Sequence, residues 1–158
     1  METKASNIFL DSQQHCCVSE HGLTTLINQA DAPNVKIAGY RAPEVTNTRK
    51  VSQASDVYSY GVFLLELLTG KSPAYFTGGD EAFNLVIWVN SVIREEWTAE
   101  VIDLELLMYS SSSIEEEIVE LLQIGMACAA RVAEQRPKMT DVVKMVEDIR
   151  RINTGNRP

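Results

Sequence analysis

The run Val57-Tyr-Ser-Tyr-Gly-Val-Phe-Leu-Leu-Glu-Leu-Leu68 constrains the fold more than any other part of the chain. Ser55 and Asp56 stand at its start, where Ser55 can cap a helix and Asp56, in the first turn, is favoured by the helix dipole. Gly70 is placed as a C-terminal cap, and Pro73 prevents continuation. Val57, Gly61, Leu64, Leu65 and Leu68 share one helical face, yet Val62, Phe63 and Leu67 make the other faces apolar as well. A helix apolar most of the way round lies inside a protein, with other elements packed about it. Ser59, Gly61 and Glu66 interrupt the run, and it falls short of the roughly 20 residues needed to span a bilayer. The expectation is a mostly helical domain organised around one buried helix.

The remaining elements follow from local pattern. Asn7-Ile-Phe-Leu10 and His15-Cys-Cys-Val18, separated by Asp11-Ser-Gln-Gln14, read as a small β-hairpin. From Asn28 to Val45 no period is sustained, and Pro33, Gly39 and Pro43 punctuate what reads as a long functional loop. A second helix is expected from about Glu81 to Ile93, with Leu85, Trp88, Val89 and Val92 on one face. The acidic, Trp-containing connection from Arg94 to Tyr109 is ambiguous. Ser113-Ile-Glu-Glu116 has the form of a capping box, opening a helix that buries Ile118, Leu121, Leu122, Gly125 and Cys128. Glu115, Glu116 and Glu117 read as its solvated start. A last helix begins near Thr140 and presents Val142, Met145, Val146 and Ile149, and the tail 153–158 should fray.

Composition narrows the partners. The 158 residues are 45% hydrophobic and 23% charged, enough for one domain with a real core. A formal net charge of -8 argues against general nucleic-acid binding, which needs Lys and Arg to displace counterions, and against an anionic membrane surface. The start Met1-Glu-Thr-Lys-Ala-Ser has no apolar signal region. Cys16, Cys17 and Cys128 form no paired framework, which suits a reduced, cytoplasmic setting. His15, Cys16, Cys17 and His21 invite a zinc reading, but neighbouring residues on a strand point to opposite faces, so no metal is expected. Tyr75, Phe76, Trp88 and Trp97 are expected to pack rather than form a binding box.

Three strings then carry a resemblance: Gly39-Tyr-Arg-Ala-Pro-Glu44, Ser55-Asp-Val-Tyr-Ser-Tyr-Gly61 and Gln135-Arg-Pro137. In this order and at these separations they resemble the C-lobe of a protein kinase domain. With Leu64-Leu-Glu-Leu-Leu-Thr-Gly-Lys-Ser-Pro73 and Arg94-Glu-Glu-Trp-Thr-Ala-Glu100, the chain resembles the plant leucine-rich-repeat receptor-like kinases, in particular the subgroup described as inactive. The resemblance runs from about Lys4 to Ile152. It implies a mainly α, kinase-like C-lobe over residues 1–152, with the N-terminal hairpin and without the N-lobe. It also implies that Glu44 pairs with Arg136, and that Asp56 holds backbone N–H groups of the catalytic loop. Asp56 could instead simply cap its own helix.

The resemblance places the chemical positions less favourably. Phosphoryl transfer needs a cover and a Lys for the phosphates, a catalytic-loop Asp, and Asp plus Asn on Mg²⁺. Lys4-Ala-Ser-Asn7 resembles the end of the catalytic loop, so Lys4 takes the phosphate-contacting position and Asn7 that of an Mg²⁺ ligand; Glu2 stands where the family has its base. Glu20-His21-Gly22 stands in place of Asp-Phe-Gly, and Glu20 sets its carboxylate one methylene further out than an octahedral Mg²⁺ site readily accepts. Asn34-Val-Lys-Ile-Ala38 lacks the Gly-Thr-x-Gly-Tyr pattern of active relatives. Between Asn28 and Gly39 there is no Ser, Thr or Tyr, so a phosphorylation switch in that loop is not expected. The family uses Mg-ATP; no cofactor is expected for this chain.

A kinase domain, as the resemblance implies, is nearly twice this length. Loss of the preceding helices should strip cover from about four large side chains of the buried helix, leaving a face for a protein partner, another receptor kinase or a second copy. The first functional expectation is a non-catalytic lobe acting through protein contact in receptor signalling, at the cytoplasmic face of the plasma membrane if part of a full receptor. The second is a Ser/Thr kinase seen as a truncated chain. The third is a gene product without function.

Overall fold

The computed structural model describes residues 8–13, 15–18, 39–45, 52–76, 82–94, 98–108 and 112–153. Strands β1 (Ile8–Leu10) and β2 (Cys16–Val18) pair antiparallel, with Phe9 opposite Cys17. Asp11 closes this hairpin: its N–H donates to the His15 carbonyl, while its Oδ1 accepts the N–H groups of Gln13 and His15, both at 2.8 Å. Helix α1 (Gln53–Thr69) follows, then a second hairpin of β3 (Ala74–Phe76) and β4 (Ala82–Asn84). Helices α2 (Leu85–Arg94), α3 (Thr98–Val101), α4 (Leu104–Met108), α5 (Ser112–Cys128) and α6 (Met139–Asn153) complete the order, with a 3-10 turn at Ala133–Gln135 before α6.

Helix α1 is the axis of the core, because its apolar residues point in nearly every direction. On one side Tyr58, Val62, Phe63, Leu65 and Leu68 pack with Leu85 and Val89 of α2, Val101, Ile118 and Leu122, and with Tyr40, Ala42 and Val45. On the other, Val57 and Leu64 meet Ile124 and Cys128 of α5 and Val142 and Ile149 of α6. Leu65, Leu85, Leu122 and Val62 are fully buried, and each such side chain stabilises the fold by roughly 1.5–3 kcal/mol. Helices α1 and α5 come into close contact at two glycines. A Cβ on Gly61 would lie 2.6 Å from the Ala129 backbone nitrogen and 2.7 Å from the Gly125 carbonyl oxygen. Only hydrogen fits there.

The ends of α1 differ from the expected pattern at one end only. Ser52, not Ser55, is the N-cap: Ser52 Oγ accepts the Ser55 N–H at 3.2 Å and Ser55 Oγ accepts the Ser52 N–H at 2.9 Å. Ser55 is thus the inner half of a capping box, and Asp56 remains in the first turn. At the other end Gly70 adopts φ 66° and donates to Glu66 O, the left-handed stop that glycine makes without strain. The Leu68 carbonyl receives the Asp103 N–H at 2.8 Å, which ties the ambiguous 94–109 connection, here α3 and α4, to the end of the central helix.

Other expectations are corrected. The helix expected from Glu81 begins at Leu85, because 82–84 zip against β3 and the Asn84 side chain takes the Ile87 N–H at 3.1 Å. Helix α5 starts at Ser112, one residue before the expected cap at Ser113. Met145 is exposed, since α6 rests on its neighbours along Val142, Val146 and Ile149 and Met145 lies at the border of that stripe. On α1 Leu67, at 51%, is the one exposed large apolar side chain, not about four: α2, α5 and segment 39–45 cover the others. Trp88 is half-buried against Phe83 (centroids 6.2 Å apart), with Lys71 Nζ 4.9 Å from its ring.

Candidate functional site

Segment 39–45 is held on α1 by polar residues that interrupt an otherwise apolar helix. Ser59 Oγ donates to the Tyr40 carbonyl at 2.9 Å, and also lies 3.1 Å from the Ser55 carbonyl. The Tyr40 hydroxyl donates to Glu66 Oε2, two turns further along the same helix. Tyr40 and Ala42 are 3% exposed, so this loop is buried like core rather than displayed like an ordinary surface loop.

Near the end of the segment stands Glu44, 92 residues before Arg136, and the fold brings the two together. Nη1 and Nη2 of Arg136 donate to Oε1 and Oε2 of Glu44 at 2.6 and 2.7 Å, a parallel two-bond pairing. Nη1 also donates to the Ala54 carbonyl at 2.9 Å, Nε to Ala130 at 2.8 Å, and Nη2 to Arg131 at 3.3 Å. A guanidinium has five N–H donors, and all five are used. The Arg136 side chain is fully buried, while that of Glu44 is 37% exposed. The Tyr58 ring lies 5.0 Å below the guanidinium carbon. Arg136 holds the Glu44 carboxyl below its ordinary value near 4.5, chiefly through the hydrogen bonds it donates. Burial pushes the Tyr58 hydroxyl upward, with the Arg136 charge opposing it. One cation thereby ties segment 39–45, the start of α1 and the turn after α5 into a single unit.

Asp56 is half-buried in the first turn of α1; the loop it would hold falls outside the described residues. Glu2, Lys4, Asn7 and Glu20 also fall outside them, as does His21. The structure therefore brings together Glu44 and Arg136 but gives no geometry for the nucleotide positions. Sequence reasoning passed over Tyr40, Ser59 and Glu66. The signal was present in the two polar residues inside a twelve-residue apolar run, each of which must find a partner once the helix is buried. Among the described residues no group of three His, Cys, Asp or Glu could hold a metal, and no helix is long and apolar enough to cross a membrane.

The family described as protein tyrosine and serine/threonine kinase matches residues 2–146. An Arabidopsis thaliana protein named "Probable inactive receptor kinase" is 60% identical over 154 residues, covering 98% of this chain and 23% of the relative. Another from the same plant, named "Probable leucine-rich repeat receptor-like protein kinase", is 52% identical over 154 residues, covering 94% of this chain and 22% of the relative. The chain thus spans about a quarter of the length of such relatives. The solved pseudokinase domain of BIR2, an immune regulator of the RLK/Pelle family, superposes with a TM-score of 0.72 at 26% identity, over 99% of this chain and 45% of that one. The chain belongs to the protein tyrosine and serine/threonine kinase family, is similar to plant leucine-rich-repeat receptor-like kinases, and forms the C-lobe part of the kinase domain.

Proposed function

We propose that this chain is a non-catalytic kinase-like lobe that acts through protein–protein contact in receptor signalling. The observation that carries the reading is a contrast between two sets of residues. Within the anchoring set, every donor of Arg136 is engaged and Glu44 is gripped at both oxygens. The reactive set departs from what phosphoryl transfer needs: Glu20-His21-Gly22 replaces Asp-Phe-Gly, and Glu2 takes the position of the base. As a donor set, Lys4, Asn7 and Glu20 fit Mg-ATP poorly, because the longer Glu20 side chain displaces its carboxylate from the octahedral shell. Residues 1–152 form the partial kinase domain and 153–158 its tail. Within a full receptor the lobe would sit at the cytoplasmic face of the plasma membrane.

A ligand that binds only the native state must raise its stability. Adding Mg-ATP to the purified chain should leave its melting temperature unchanged; a rise that grows with nucleotide concentration would contradict the proposal. One observation favours a second reading, a Ser/Thr protein kinase: the 52%-identical relative is named a probable receptor-like protein kinase. In that reading Lys4 contacts phosphate and Asn7 and Glu20 hold Mg²⁺. An upstream coding segment carrying a Gly-rich loop and a strand Lys would favour this second reading, and Mg-ATP should then raise the melting temperature of that longer chain.

A further inference from the structure

Around the end of α1, apolar side chains from three helices are left in solvent. Leu67 is 51% exposed, Leu106 of α4 39% and Ile114 of α5 41%. Together with Leu68, Ile118 and Leu121 they line one groove of about 660 Å³. Its remaining lining residues are Asp103, Glu105 and Glu117. Among the described residues every charged side chain on the groove is acidic, in a chain whose net charge is -8. Leu104 and Met108, each 73% exposed, add apolar surface on the same short helix α4. The groove wall is fixed from behind: the Asp103 N–H is bonded to Leu68 O, and Asp103 Oδ1 accepts the Glu105 N–H at 2.8 Å.

We infer that this groove docks a basic amphipathic segment of a partner protein, with Leu- or Ile-type side chains entering the apolar floor and Lys or Arg facing the acidic rim. The inference rests on the reading of the chain as a protein-contact module and names the class of partner it takes. Charge complementarity decides among occupants. A second copy meeting the same groove about a two-fold axis would set one acidic rim against another, a like-charge contact. An anionic lipid surface is repelled in the same way. A segment with apolar anchors at helical spacing and cations beside them satisfies both floor and rim.

The test uses the 158-residue chain and a fluorescently labelled synthetic amphipathic helix of Leu and Lys, read by anisotropy. Glu105→Lys with Glu117→Lys should weaken binding about tenfold or more, and Leu106→Asp should weaken it similarly. A charge-matched pair away from the groove, Glu134→Lys with Glu147→Lys, should leave the affinity nearly unchanged. Melting curves of each variant establish that the fold is kept. Equal loss from both charge pairs would mean general attraction to an acidic protein and overturn the proposal. So would equal binding of a peptide carrying Glu for Lys, or dimerisation of the chain that Leu106→Asp abolishes. If the groove variants are silent, the docking surface lies elsewhere and the contact-module reading stands; phosphate transfer by the chain would end that reading whatever the groove binds.

Discussion

Arg136 is a buried cation whose cost of desolvation is offset by one carboxylate and three carbonyls, so its removal should be felt more than that of any surface charge. Breaking a buried pair by deleting one partner costs about 3–5 kcal/mol. Arg136→Ala should fall in that range by chemical denaturation. Arg136→Lys keeps the charge but lacks the planar fork, and should recover less than half of the loss. A loss under about 1 kcal/mol for Arg136→Ala, the level of an exposed pair, would show that the cluster does not hold the loop. Glu44 adds a pH signature. Its carboxyl is depressed in the folded state by Arg136, so its contribution is fully present above the ordinary value near 4.5 and is lost as pH falls through the lower folded value. Glu44→Gln should be less stable at neutral pH and lose less stability on acidification; parallel acid profiles would contradict this. At this scale the pairing of Glu44 with Arg136 was legible only through resemblance, since 92 residues of chain separate them. The Tyr40–Glu66 bond is only half legible, because a polar residue in a buried helix shows that it needs a partner but not which distant residue supplies it.

Between elements, the contact of α1 with α5 depends on Gly61 and Gly125 facing each other without side chains. A Cβ at Gly61 meets backbone atoms that cannot swing away, whereas one at Gly125 meets Leu65 Cδ2 at 3.2 Å and Leu64 Cβ at 3.3 Å, where small adjustments suffice. Gly61→Ala should therefore cost roughly 1–3 kcal/mol of overpacking despite its better helix propensity. Gly125→Ala should be close to neutral, as propensity and crowding offset each other. Thermal denaturation of both variants checks the difference, and equal effects would mean that the helices separate freely. The four long helices were legible because their apolar periods are long and distinct. Their boundaries were not: Ser52 outcompetes Ser55 as the cap because Ser55 serves better at the third position, reaching back to the Ser52 N–H. The short strands β3 and β4, three residues each, carry too little pattern to distinguish from a helix start. They exist because each pairs with the other, which local sequence does not record.

At the scale of the whole molecule, the fold shows how a kinase-like lobe keeps its shape from interactions that need no nucleotide. Its core lies on both sides of α1, and segment 39–45 is fastened to that helix at Tyr40 and through Glu44 to Arg136. The uncovered apolar surface predicted for α1 contracts to Leu67 and continues onto α4 and α5, which sequence could not indicate because α4 was unrecognised as an element. On the proposed function, the anchors persist without phosphoryl transfer. Incubating the purified chain with radiolabelled ATP, Mg²⁺ and a general protein substrate measures that directly. No incorporation above a nucleotide-only control is expected. Incorporation that disappears in Lys4→Ala or Glu20→Ala would contradict the account.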